Sequence, residues 1–143
     1  MSNSMLPTSP GEWVEETSSD FVFHTEPSYT SKLDVDHNTI VGHIDGLDAY
    51  KQAIYKILNT ERYKYVIYSW NYGVELNDLI GKPIYYVVPE IERRITEAVS
   101  QDDRTLSVSG FEFDTSKRGV VHVKFTVTSI YGREEIEKDV EYV

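Results

Sequence analysis

Hydrophobic and polar positions along the chain change period several times, and each change marks an element. From Tyr29, Leu33 and Val35 alternate with polar residues, and so do Ile40, Gly42 and Ile44, with Asp36-His37-Asn38 between them. This pattern predicts a β-hairpin. Leu47, Tyr50, Ala53, Ile54, Ile57 and Leu58 then recur at helical spacing, with Asp45 as candidate N-cap and an end near Asn59. Tyr63 to Trp70 is β-branched and aromatic with two apolar faces, which predicts a short strand or extended segment between layers. After Gly73, Val74 to Ile80 leaves room for two helical turns. A longer helix follows, with Ile84, Val88, Ile91, Ile95, Ala98 and Val99 on one face and Glu92, Arg93, Arg94 and Glu97 mostly off it. Pro89 either opens that helix or kinks it.

Beyond Ser100 the period falls to two. Leu106 and Val108 alternate, and Phe111 and Phe113 alternate in the opposite phase across Gly110, the slip expected of a β-bulge. Val121, Val123, Phe125 and Val127 form one face opposite His122, Lys124, Thr126 and Thr128. A turn at Tyr131-Gly132-Arg133 leads to a last strand, with Ile136, Val140 and Tyr142 on one side and acids on the other. The sum is an α+β domain: an N-terminal hairpin, three helices and a C-terminal three-stranded antiparallel sheet. Residues 29–143 form this single domain, and residues 1–28 read as an acidic, flexible arm. Within the arm, Trp13, Phe21 and Phe23 are possible anchors for a partner.

Composition narrows the chemistry. The chain carries 24 acidic and 14 basic residues, a net charge of −10, which opposes a nucleic-acid partner. Glu12, Glu15, Glu16, Asp20 and Glu26 precede the first basic residue, Lys32. There are no cysteines, so neither a disulfide framework nor a thiolate metal site is available. No apolar run reaches the roughly 18 residues of a membrane span, and the start lacks a secretory pattern.

Motifs for catalysis or metals are weak. Asp34, Asp36, Asn38 and Asp45 fall at calcium-loop positions, but Thr39 occupies the turn position that needs glycine, and turn chemistry explains the same letters. His24, His37, His43 and His122 share no zinc spacing. No cofactor is expected. Glu61, in a tyrosine-rich setting, could serve a glycosidase with Asp102, Asp103 or Glu75 as partner; the alternative is that Glu61 and Arg62 make structural hydrogen bonds. Tyr63, Tyr65, Tyr68, Trp70 and Tyr72 read as core plus one face, or as an interface. The last strand, with Ile136, Lys138, Val140 and Tyr142, either protects a sheet edge with its acids or admits a basic partner strand.

Three stretches carry a family resemblance: Ile54 to Arg62, Tyr68 to Gly73, and Glu75 to Lys82. They resemble the small wedge-core proteins of contractile phage tail baseplates, in particular the XkdS-like branch of Bacillus-type prophage tails, from roughly Leu33 to the C-terminus. Thr60-Glu61-Arg62 and Tyr72-Gly73 match that family's Gly-Glu-Arg-like triplet and Tyr-Gly pair. Asp102-Asp103-Arg104 matches its Glu-Pro-Arg triplet only at Arg104 and in acidic character. The resemblance implies a non-enzymatic structural protein of the virion tail, assembled in the host cytoplasm. It also implies about six copies around the tube, contacts with other wedge proteins, the sheath and possibly tube or hub, and strand exchange by the final strand. It implies that Glu61, Arg62 and Arg104 hold a polar network, with Trp70, Tyr72, Gly73 and Asp103 also structural or interfacial. A peptidoglycan-cleaving, lysozyme-like hydrolase using Glu61 is the alternative.

Overall fold

A computed structural model describes residues 27–143. Strands β1 (Thr30–Asp34) and β2 (Thr39–Ile44) pair as an antiparallel hairpin. Asp34 accepts from the His37 N–H at 3.2 Å and bonds the His37 ring at 2.8 Å, so the aspartate that suggested calcium shapes the hairpin turn. Helix α1 (Gly46–Leu58) begins where the Asp45 carboxylate accepts from the Gly46 N–H at 2.7 Å, and Asn59 ends it. The Gln52 side chain ties the hairpin to this helix, accepting from Leu33 N–H at 2.8 Å and donating to Ser31 C=O at 2.9 Å.

The middle of the chain departs from the periodic reading. Tyr63–Trp70 forms turns rather than a strand; its only ladder contact is a single bridge at its stem, Glu61 with Val74. Alternating β-formers cannot become a strand without an edge to pair with, and none is offered here. The second of three expected helices is likewise one 3₁₀ turn, Asn77–Leu79, before Gly81 takes a positive φ of 84°. The described residues therefore form two α-helices. Helix α2 (Ile84–Ser100) runs through Pro89 instead of starting there. Pro89 is exposed, within the first two turns, where the missing N–H forfeits one bond.

Strands β3 (Thr105–Asp114), β4 (Val120–Ser129) and β5 (Gly132–Glu141) make an antiparallel sheet in that order, with β4 central. The β3–β4 register shifts between Ser109 and Glu112, around Gly110 at φ 67°, which is the bulge that the phase slip predicts. Both helices contribute to the core on one sheet face. Tyr50, Ile54, Leu79, Val87, Ile91, Ile95, Val121, Val123, Phe125 and Val127 are fully buried there. Each large apolar side chain so buried contributes about 1.5–3 kcal/mol. Val87, rather than Val88, takes the buried position on α2, and Arg94 joins the buried face.

Candidate functional site

The two best-matched motifs of the sequence meet in space. Thr60 C=O accepts from Val74 N–H at 3.0 Å, and Arg62 N–H donates to Val74 C=O at 3.3 Å, closing the stem of a loop that spans residues 63–72. Gly73 stands at that closure with φ 96°, and a Cβ there would lie 2.5 Å from the Thr60 carbonyl oxygen. Only glycine fits. Tyr72 stacks on Tyr68 with ring centroids 4.6 Å apart, and burial pushes its phenol above the ordinary value.

Glu61 and Arg62 face different partners. Glu61 accepts from the Leu76 N–H at 3.2 and 3.3 Å and from the Asn77 N–H at 3.2 Å, capping the 3₁₀ turn. Arg62, whose side chain is 8% exposed, donates to Glu97 at 2.9 Å and to Gly73 C=O at 3.3 Å. Arg104 belongs to a separate cluster. It grips Asp102 through two side-chain bonds, at 2.9 and 2.7 Å, and lies over the Tyr50 ring at 5.5 Å. Burial alone would raise the Asp102 carboxyl, but the Arg104 guanidinium and backbone N–H outweigh it and hold the group below its usual range. Asp103 is exposed beside this pair. Periodicity missed Arg94, which is buried and bonds Glu75 C=O at 2.9 Å, Glu90 at 2.9 Å and Asp78. Its i,i+4 relation to Glu90 was the available signal.

At the other side of the sheet, among the described residues, β5 pairs with β4 alone, which leaves its second edge open from Gly132 to Glu141. The Tyr142 N–H reaches back to Gly119 C=O at 3.0 Å on the β4 side. Alternation along an antiparallel strand then turns the backbone groups of Glu135, Glu137 and Asp139 to the open edge. Beside it runs a groove of about 450 Å³ between α1 and β5, lined by Tyr55, Leu58 and Ile136 among others. Val140 is buried and Ile136 and Tyr142 are half-buried on the helix side. Lys138 also points inward, donating to Asn59 Oδ1 at 3.2 Å; burial pulls its ammonium below the ordinary value against the pull of Asp139 and Glu61. On the solvent side, His122 bonds Asp139 at 2.6 Å and Lys124 pairs with Glu135 at 2.5 Å.

Nothing in this arrangement supports the glycosidase reading: both Glu61 oxygens are engaged by backbone N–H groups, and Asp102 is held by Arg104. No group of three or more potential metal ligands occurs among the described residues, and none of their helices is long and apolar enough to cross a membrane. His24, Trp13, Phe21 and Phe23 lie outside the described residues. What the described residues offer is a module with a rigidly stemmed loop, an unpaired sheet edge and internally satisfied polar groups.

The comparisons with known proteins give that module a family. The contractile injection system sheath initiator model matches residues 20–132, and the chain belongs to this family. The chain is also 42% identical over 118 residues to the phage-like element PBSX protein XkdS of Bacillus subtilis (strain 168), covering 79% of this chain and 82% of that protein. Its role is therefore a structural one in a contractile tail. The family match begins earlier than Leu33, taking in residues 20–28, and ends at the residue where β5 starts.

Proposed function

We propose that this chain sits in the baseplate wedge of a contractile tail, in about six copies around the tube, and starts the sheath by strand addition at β5. The observation that carries this reading is the open β5 edge beside an apolar groove. A peptide strand laid there gains main-chain hydrogen bonds along the edge and side-chain burial against Tyr55, Leu58 and Ile136. The solvent-facing row Glu135, Glu137, Asp139 and Glu141 favours a basic partner strand over random pairing. Membership in the sheath initiator family supports a sheath subunit as the donor of that strand. Glu61, Arg62, Gly73 and Arg104 hold the domain in shape, and a second surface joins the remaining wedge proteins.

Electron microscopy of tails from cells lacking this gene tests the reading. Naked tubes or missing baseplates, restored by the intact gene and by Glu61→Gln, are expected. Fully sheathed tails from the deletion would contradict it.

A further inference from the structure

The loop over residues 63–72 is the least explained part of the surface. Val66 is 101% exposed, Ile67 86% and Trp70 75%, and Tyr63, Tyr65 and Tyr68 of the same loop are exposed as well. Isolated exposed apolar residues need no explanation, but a contiguous set of this kind marks an interaction site. The loop is not a loose excursion. Its stem is closed at Gly73, Tyr68 stacks on Tyr72, and Tyr63 lies against Trp70 with centroids 4.6 Å apart.

Beneath it lies a cavity of about 380 Å³ between the loop and the C-terminal end of α2. Ile57, Tyr72 and Ala98 supply apolar walls, and Gln101 and Asp103 stand at the polar side. Two features make that side negative. Asp103 is exposed and forms no ion pair among the described residues. The carbonyl end of α2 carries the negative end of the helix dipole. An open depression with Tyr72 on one wall and a carboxylate at its rim suits the methylene stem and charged head of a lysine or arginine. Arginine and aromatic anchors set in such pockets dominate protein interfaces.

We infer that the loop and this cavity form a second docking surface, which receives a segment of another baseplate protein whose apolar side chains pack on Ile67 and Trp70 while an adjacent Lys or Arg enters beside Asp103. This names the chemistry of the wedge-side partner and so rests on the wedge reading, but it uses a surface separate from β5. Charge chooses a protein over a lipid: a chain of net charge −10 with an unpaired carboxylate at the site is repelled by anionic headgroups.

The test is genetic and uses the whole chain in producing cells. Asp103→Lys and Trp70→Ser change exposed side chains, and unchanged melting of the purified variants checks that the domain is intact. Each should lower the yield of complete tails about tenfold, the size of a lost interface anchor. Suppressors of Asp103→Lys should replace a Lys or Arg by an acid in another tail protein. Glu137→Pro, made alongside, reports on β5 alone. Normal tails with Asp103→Lys and Trp70→Ser, while Glu137→Pro blocks the sheath, would overturn this inference and leave the function standing. Normal tails in all three would remove both. Suppressors confined to this chain, or Trp70-dependent sedimentation of the pure protein with phosphatidylcholine–phosphatidylglycerol vesicles, would also overturn it.

Discussion

The Thr60 carbonyl oxygen stands 2.5 Å from the position a Cβ on Gly73 would take, so two residues 13 apart in sequence leave room for nothing but hydrogen between them. This approach turns the Thr60-Glu61-Arg62 and Tyr72-Gly73 motifs into a single stem. The stem passes its order outward to the aromatic loop and inward to the capped 3₁₀ turn and α2.

Gly73→Ala should destabilise the domain by about 2–4 kcal/mol, the sum of a positive-φ penalty and a backbone clash. Gly42→Ala is the control: it has a comparable φ of 67° but no atom within 4 Å of the new Cβ. It should lose only about 1–2 kcal/mol. Chemical denaturation of both variants checks the difference, and equal losses would contradict the steric account.

Arg94 and Arg93 are neighbours with opposite settings. Arg94 is buried and holds Glu75 C=O, Glu90 and Asp78, whereas Arg93 is exposed and bonds Glu90 and Glu97. Arg94→Met should lower stability by about 1–3 kcal/mol, since it frees the Glu75 carbonyl and unties residues 75–79 from α2. Arg93→Ala should lose about 0.5 kcal/mol or less. Arg62→Ala, which frees Glu97 and Gly73 C=O, should fall between them, and thermal unfolding of the three proteins ranks them.

Two groups give pH dependence with opposite signs. The Asp102 carboxyl is depressed on folding, so its contribution is complete above the unfolded value of about 4 and is lost as pH falls through the folded value. His122 is raised by its bond to Asp139; its contribution is complete below the unfolded value of about 6.5 and is lost as pH rises through the folded one. Denaturation across a pH series should show Asp102→Asn converging on the parent protein in acid. His122→Asn should converge on it in base. Differences independent of pH would contradict both assignments.

The sequence was legible where one period governs a stretch and the neighbour is local. Asp45 capping α1, the alternation of β4 and the phase slip at Gly110 are all of this kind, because each is decided by residues a few positions apart. By length alone, Val74 to Ile80 leaves room for two helical turns. What shapes these residues instead is the Glu61 carboxylate on two N–H groups and Arg94 on Glu75 C=O, contacts made from 15 to 19 positions away. Tyr63–Trp70 suits a short strand or an extended segment, and β-propensity carries no information about whether a partner edge exists. Of the candidate site, the motif residues were visible as letters. Their grouping was not: Glu61 and Arg62 diverge, and Arg104 sits in a different cluster.

The central claim is that sheath assembly starts on the open edge of β5. Glu137→Pro removes one N–H on that edge and, by the alternation of the ladder, leaves the bonds to β4 in place. The measurement is electron microscopy of tails assembled with this variant after its melting temperature is shown to match the parent's. The account predicts baseplates bearing naked tubes, with the variant chain present in the baseplate. Sheathed tails at parental yield would contradict it.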